Sequence, residues 1–184
     1  FLGIMINAQG KRFLDEGKNF RNYTYAQYGR KVLEQPNNFA WQIFDSKVFN
    51  LLYEEYRFHD AHFVEADTID ELITKMEGID KIETKKTIME FNNSVDINTS
   101  FDPTILDGKS TDGIEIKKSN WAQKIDKGPF KAFPVTGGIT FTYGGLKVDK
   151  NGSVLDIKDN PINGLYACGE LVGGVFFNGY PGGS

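Results

Sequence analysis

The sequence predicts an α+β fold in which the helices are grouped along the chain. Three observations support this. Short apolar segments such as FAWQIFD have the composition of strands, two helical segments begin with capping boxes, and glycine usage changes along the chain. Seven of the 20 glycines precede Gly128, and the other 13 lie between Gly128 and Gly183. We therefore expect two domains, residues 1–140 and residues 141–184.

The first predicted domain contains both strands and helices. FLGIMIN and FAWQIFD are predicted strands, and NAQGKRF is predicted to turn into a second short strand. YTYAQYGRKVLEQ has helical spacing and stops before Pro36, because the residue before a proline disfavours the helical conformation. SKVFNLLYEEY is another predicted helix. The two capping boxes, each of which predicts the start of a helix, are Thr68 with Glu71 and Asp80 with Glu83.

The second predicted domain is rich in strands and glycine. Two segments are predicted to be extended, namely FKAFPVT just before the second domain and GITFTYGGLKVD at its start. A hairpin closed at Asn151-Gly152 is predicted in KVDKNGSVLD. NPING is a predicted turn, and LYACGE is a predicted buried strand that ends at Glu170. An acid at the carboxyl end of a buried strand can accept a hydrogen bond from a ribose or ribitol hydroxyl.

Composition excludes several classes of protein. A net charge of -4 argues against a nucleic-acid partner, and no apolar run approaches the ~18 residues that a membrane span needs. Because Cys168 is the single cysteine, no internal disulfide can form, and a reducing, cytoplasmic compartment is favoured. We interpret Cys168 as a buried packing residue. His59 and His62 have no third ligand in the sequence pattern, so no metal is expected. Lys118 is interpreted as facing solvent.

The segment GLYACGELVGGVFFNGYPGGS resembles the flavin-binding segment of the fumarate reductase and succinate dehydrogenase flavoprotein family. TYGGLKVDKNGSVLD resembles the Thr-x-Gly-Gly segment of that family, and INAQGKRFLDEG resembles the opening of its capping domain. FRNYTYAQYGR, FAWQIFD and GITFTYGGL look closest to the tricarballylate dehydrogenase branch. The resemblance implies that residues 1–140 are the capping domain and that residues 141–184 are the C-terminal part of the FAD-binding domain.

The resemblance also implies site residues. Arg21 matches the arginine that transfers a proton to or from the substrate, with Glu16 as its expected relay partner; the alternative is a surface arginine at the start of a helix. Thr140, Thr142 and Tyr180 are the expected substrate-binding residues. The expected FAD-binding residues are Gly169, Glu170, Gly174, Gly182, Gly183 and Ser184. The glycines are interpreted as allowing the backbone to approach the flavin ring.

The implied activity is FAD-dependent dehydrogenation, or reduction, of a C–C bond next to a carboxylate or carbonyl. Family members that act on succinate or fumarate have a histidine and an arginine where this chain has Thr140 and Tyr180. The substrate is therefore expected to be a small carboxylic acid or a ketone, and the electron acceptor is left open. The segment YPGG also resembles flavin ketosteroid dehydrogenases. An isolated capping module without activity is the further alternative.

We expect the chain to be a fragment of a longer protein and to purify without FAD. It begins without methionine, and no Gly-x-Gly-x-x-Gly follows a strand, so the pyrophosphate of FAD would have no helix N-terminus to bind. The visible absorbance spectrum of the purified chain measures this directly. A flavin band that survives desalting would contradict the prediction.

Overall fold

The structure, a computed structural model, describes residues 1–139 and 144–174 and has mixed helix and sheet content. The chain divides into two compact units, Phe1–Gly137 and Gly138–Ser184. The assignment of the first unit to a capping domain and of the second to part of an FAD-binding domain stays a prediction.

An antiparallel sheet of four strands forms the centre of the first unit. The strands are β1 (Ile4–Asn7), β2 (Ala40–Asp45), β3 (Val64–Ala66) and β4 (Phe130–Val135). Their order in the sheet is β1-β2-β4-β3, and every neighbouring pair is antiparallel. β4 follows the others in sequence but lies between β2 and β3, so the sheet is completed by its last strand.

Three helices accompany the sheet, namely α1 (Arg21–Leu33), α2 (Ile69–Lys75) and α3 (Lys81–Ser94). Alternate residues of a strand point to opposite faces, and β1 shows this clearly. Ile4 and Ile6 pack in the core shared with α2 and α3, whereas Met5 packs with Leu14 and with Val32 of α1. The sheet therefore buries apolar side chains on both faces.

Both predicted capping boxes start helices. The hydroxyl oxygen of Thr68 accepts a hydrogen bond from the Glu71 N–H at 3.2 Å, at the start of α2. A carboxylate oxygen of Asp80 accepts from the Glu83 N–H at 2.9 Å, at the start of α3. Each bond satisfies a donor of the first turn that has no partner within the helix.

The predicted helix SKVFNLLYEEY is wrong. The segment forms two 3₁₀ turns, Ser46–Leu51 and Glu54–Arg57. Val48 packs in a core with residues of β2 and β4, and the Tyr56 hydroxyl donates to the Gln42 side-chain oxygen at 2.6 Å. These tertiary contacts hold the segment close to the sheet and override its helical spacing.

The second short strand predicted in NAQGKRF is also absent from the described residues. The chain turns at residues 8–10, where Gly10 has a φ of 76°. The Asn7 side-chain oxygen accepts from the N–H groups of Gln9 and Lys11, each at 3.0 Å. This asparagine closes the turn locally, and the chain continues irregularly into the segment before α1.

The second unit contains a two-stranded antiparallel sheet of β5 (Ser153–Leu155) and β6 (Pro161–Tyr166). The predicted turn at Asn151-Gly152 is confirmed, and Gly152 has a φ of 81°. The predicted turn NPING is wrong: the Asp156 carboxylate accepts from the N–H groups of Lys158 and Asn160, so the turn comes earlier. The expected buried strand LYACGE is wrong as well, because β6 ends at Tyr166 and is exposed.

Cys168 is exposed and lies after β6, so its interpretation as a buried packing residue is wrong. The sequence pattern misplaced this residue because the strand begins and ends earlier than expected. None of the helices formed by the described residues has the length and apolar character needed to cross a membrane.

Gly17→Ala is expected to lower the free energy of unfolding by about 1–3 kcal/mol, because overpacking forces the backbone to shift. A Cβ at Gly17 would lie 2.2 Å from the Asn120 carbonyl oxygen. Gly29→Ala is the matched control: a Cβ at this position in α1 comes no closer than 4.0 Å to Gly137. Gly29→Ala is expected to raise the free energy of unfolding by about 0.5–1 kcal/mol. Urea unfolding of both variants measures the difference, and equal stabilities would contradict the prediction.

Candidate functional site

Arg21 is the first residue of α1 and remains accessible to solvent. Its side chain is 43% exposed, and its Nη2 atom lies 3.1 Å from the Glu55 Oε1 atom. The guanidinium carbon lies 4.3 Å from the centre of the Tyr53 ring, a cation–π contact. Hydrogen bonds from the Glu55 backbone and from Arg21 hold the pKa of the Glu55 carboxyl below its ordinary value, so this carboxylate is charged at neutral pH.

The start of α1 contradicts the usual chemistry of helix N-termini. At Phe20, the residue before the helix, no side chain forms a capping hydrogen bond, and the first turn contains no acidic residue. Arg21 instead places a positive charge at the end of the helix that is already positive. Natural proteins tend to violate such local rules at functional or strained sites.

Glu16 binds Arg12 and not Arg21, so the structure does not form the expected pair of Glu16 and Arg21, and a catalytic role of Glu16 stays a prediction. The Arg12 guanidinium donates to Glu16 through Nη2 at 2.5 Å and through Nε at 3.1 Å. Glu16 also accepts from the Met5 N–H of β1 at 2.8 Å. Both side chains of the ion pair are buried, and these bonds direct the carboxylate inward, towards β1.

The charges around Glu16 determine its protonation. Burial acts to raise the pKa of Glu16, but the Arg12 guanidinium, with help from Lys118 and the Met5 N–H, holds that pKa below its ordinary value. Burial lowers the pKa of Lys118 to about 8. Lys118 is therefore not a solvent-facing lysine; its Nζ atom donates to the Gly3 carbonyl at 2.5 Å.

A distant loop holds the segment that leads to Arg21. The Asp15 carboxylate accepts from the Ser119 N–H at 2.9 Å and from its hydroxyl at 2.5 Å. The Asn120 side-chain amide donates to the Gly17 carbonyl at 2.9 Å. These bonds, made across about one hundred residues of sequence, fix the segment before α1 and so fix where the helix begins.

In the second unit, Glu170 lies in a 3₁₀ turn, Gly169–Leu171, and is exposed. Gly169 and Gly174 have φ angles of 74° and 82°, and within residues 1–139 and 144–174 a Cβ on either would meet no atom within 4 Å. The backbone at these two glycines is therefore open to close approach, and the turn between them presents a carboxylate.

Gly173 lies where two backbone segments of the second unit meet. The Leu146 N–H donates to the Leu171 carbonyl at 2.9 Å, and the Gly173 N–H donates to the Leu146 carbonyl at 3.0 Å. A Cβ on Gly173 would lie 2.6 Å from the Gly145 nitrogen. Gly145 and Gly173 thus allow two backbone segments to pack against each other, which explains Gly173 without any ligand.

Several predicted site residues lie outside the described residues. They are Thr140, Thr142, Tyr180, Gly182, Gly183 and Ser184.

The sequence analysis did not find Tyr53 and Glu55, which contact Arg21. These two residues follow Arg21 by 32 and 34 positions, and only the fold brings them next to it. Across residues 1–139 and 144–174, the His, Cys, Asp and Glu side chains form no group of three or more that could hold a metal ion.

Residues 3–184 match the family described as FAD binding domain. The chain belongs to this FAD-binding family. Over 177 residues it is 30% identical to a protein named probable fumarate reductase Ifc3 from Shewanella frigidimarina (strain NCIMB 400), a match that covers 94% of this chain and 26% of that protein. A 3-oxosteroid 1-dehydrogenase from Mycolicibacterium smegmatis is 30% identical over 197 residues, which cover 97% of this chain and 34% of the relative.

The fold of this FAD-binding family member is also similar to that of a solved flavoprotein. The open conformation of a flavocytochrome c3 fumarate reductase matches with a TM-score of 0.66 and 27% identity, over 94% of this chain and 28% of the other. The chain thus spans about a quarter to a third of the length of these three proteins.

FAD is the cofactor of this family, to which the protein belongs. The described residues fit one part of this cofactor. A carboxylate such as that of Glu170 can accept hydrogen bonds from sugar hydroxyls, and the open backbone at Gly169 and Gly174 leaves room for a flat ring.

Glu16→Gln is expected to lower the free energy of unfolding by about 3–5 kcal/mol at neutral pH, because it leaves the charge of Arg12 buried without its partner. The folded-state pKa of Glu16 is lowered, so this contribution is complete above the unfolded-state pKa of about 4.3. It is lost as the pH falls through the lower folded-state pKa. Urea unfolding at neutral pH and through the acid range measures both effects.

Glu34→Gln is the control for this experiment. Glu34 forms an exposed ion pair with Lys31 on α1, and removing such a pair is expected to change stability by less than about 1 kcal/mol. A stability difference between wild type and Glu16→Gln that stayed constant into strong acid would contradict the assigned ion pair.

Proposed function

We propose that the protein is an FAD-dependent oxidoreductase that dehydrogenates, or reduces, a C–C bond next to a carboxylate or carbonyl. The observation that carries this proposal is the pair of relatives, each 30% identical, named for fumarate and for a 3-oxosteroid. Fumarate has a C=C bond between two carboxylates, and a 3-oxosteroid has a ring ketone. Both substrates place an electron-withdrawing group beside the bond that would change.

Arg21 is the residue we assign to proton transfer at the substrate carbon. FAD, when bound, supplies the hydride chemistry, and the protein must supply a matched proton and the position of the substrate. Arginine is normally too basic to act as a base, so it needs a carboxylate neighbour that can share the proton. Glu55, at 3.1 Å, is the carboxylate bonded to it within the described chain. Glu16 stays a candidate only through the family resemblance.

The other assignments follow the family resemblance. Residues 1–140 would form the capping domain, and residues 141–184 would be part of the FAD-binding domain. Thr140, Thr142 and Tyr180 would donate hydrogen bonds to the substrate. Glu170 would bind the ribityl or ribose part of FAD together with the glycines around it. The protein would be cytoplasmic.

Two substrate classes compete within this proposal. A carboxylic acid of the tricarballylate type is favoured by the resemblance of the FRNYTYAQYGR and FAWQIFD segments to that branch. A 3-ketosteroid is favoured by the YPGG segment and by the relative from Mycolicibacterium smegmatis. Assaying the FAD-loaded full-length protein with tricarballylate, fumarate and a 3-ketosteroid separates them, and failure on all three would contradict the proposed reaction class.

Arg21→Lys is expected to lower the turnover of the FAD-loaded full-length protein by about 10²–10⁴-fold, the usual contribution of a positioned acid–base group. Lysine keeps the charge but loses the planar guanidinium, so substrate binding is expected to weaken less than turnover. Arg30→Lys, an exposed change in the same helix, is the control. Steady-state kinetics at matched flavin content measures both. Near wild-type turnover in Arg21→Lys would remove Arg21 from the mechanism.

A further inference from the structure

We propose that Tyr53 and Glu55 form a clamp that positions the Arg21 guanidinium for proton transfer. The proposal rests on the proposed function of Arg21. Tyr53 contacts the face of the guanidinium, with 4.3 Å between the guanidinium carbon and the ring centre. Glu55 binds one edge through Nη2 at 3.1 Å. A contact on the face and a bond at the edge together restrict both the tilt and the rotation of a planar group.

The clamp belongs to a turn that is fixed to the sheet. Glu55 lies in the 3₁₀ turn Glu54–Arg57, and Tyr53 comes directly before it. Tyr56 of the same turn donates its hydroxyl to Gln42 of β2 at 2.6 Å. Its ring also makes edge-to-face contacts with aromatic side chains of β2 and β4, Phe44 at 5.4 Å and Phe133 at 4.9 Å. The sheet therefore determines where the clamp stands.

Arg21 receives little support from its own helix, because the start of α1 has neither a side-chain cap nor an acidic residue in its first turn. An arginine side chain has many rotamers, and a fixed guanidinium needs partners from elsewhere in the fold. The clamp provides them from a segment more than thirty residues later. Pairing with one carboxylate oxygen also uses only one of the five N–H donors of a guanidinium, which leaves donors for a substrate.

Precise placement matters more for turnover than for binding. A charge attracts an anion from many orientations, whereas proton transfer requires a donor within about 2.6–3.2 Å of the reacting group. Misplacement by about 1 Å can lower a rate by about 10²-fold. A clamp that fixes the guanidinium is therefore expected to act mainly on kcat and to change KM much less.

The first experiment needs neither FAD nor a substrate. The 184-residue chain is treated with phenylglyoxal, which modifies accessible guanidinium groups, and peptide mass spectrometry compares Arg21 with exposed Arg30. Glu55→Gln is expected to increase the modification rate of Arg21 by about two- to five-fold, a size typical of an exposed ion pair, with Arg30 unchanged. Glu54→Gln removes the same charge one residue earlier and is expected to leave both rates as in wild type. Equal Arg21 rates in the two variants would overturn the clamp.

The second experiment measures kcat and KM of the FAD-loaded full-length protein for fumarate, with reduced methyl viologen as electron donor. Glu55→Gln and Tyr53→Leu are expected to lower kcat by about ten-fold or more with little change in KM, as loss of positioning requires. Tyr53→Phe keeps the ring and is expected to retain wild-type kcat. A lower KM with unchanged kcat in Glu55→Gln would mean that Glu55 competes with the substrate, and would overturn the proposal.

The two experiments separate the clamp from the function on which it rests. If Arg21→Lys loses turnover while Glu55→Gln behaves like Glu54→Gln in both experiments, the clamp is wrong and the function of Arg21 stands. If Arg21→Lys turns over fumarate like wild type, Arg21 is removed from the mechanism. If the wild-type protein does not reduce fumarate at all, the proposed reaction on fumarate fails. The phenylglyoxal comparison then still decides whether Glu55 holds the guanidinium.

Discussion

The buried ion pair of Arg12 and Glu16 connects parts of the first unit that are distant in sequence. Glu16 accepts the Met5 N–H of β1, and Arg12 donates through Nη1 to the Ile116 carbonyl at 2.6 Å. The pair therefore joins the edge strand to a loop one hundred residues later. Its geometry is favourable because the guanidinium makes two bonds to the carboxylate, and bidentate pairs are the strongest of their kind.

This ion pair explains why the segment before α1 needs no regular structure. The backbone and side chains of this segment are bonded to β1 and to the loop that contains Ser119 and Asn120. Lys118 adds two further bonds, to the Phe1 and Gly3 carbonyls. A segment held in this way can end with an uncapped helix whose first residue is a solvent-accessible arginine. The buried charges thus support an exposed one, and the stability of the fold and the geometry of the candidate site depend on the same contacts.

Features that depend on near neighbours in sequence were predictable. The capping boxes at Thr68 and Asp80 each span only four residues of sequence, and the hairpin at Gly152 needs a two-residue signal. The segment SKVFNLLYEEY was misjudged because Tyr56 bonds to Gln42 and Val48 packs on the sheet. These contacts compete with a helical spacing that is itself weak evidence.

The contacts of the candidate site join residues that are distant in sequence, and these contacts could not be predicted either. Arg21 was found through family resemblance, but its contacts with Tyr53 and Glu55 exist only once α1 and the 3₁₀ turn are both placed. Glu16 was assigned to Arg21 because the two are close in sequence, yet Arg12 is slightly closer and its side chain is buried. Sequence distance does not distinguish these partners. The pattern of glycines was also ambiguous, since Gly173 packs on Gly145 while Gly169 and Gly174 have no such close neighbour within the described part of the chain.

The position of β4 has a consequence for how the protein folds during its synthesis. β4 lies between β2 and β3 but follows β3 by more than sixty residues. Until Val135 has left the ribosome, β3 has no partner and β2 is paired on one side only. Contacts of such long range slow folding, and unpaired strand edges expose nascent chains to aggregation. The first unit is therefore expected to depend on chaperones, or on fast translation of residues 67–135, more than its length alone implies.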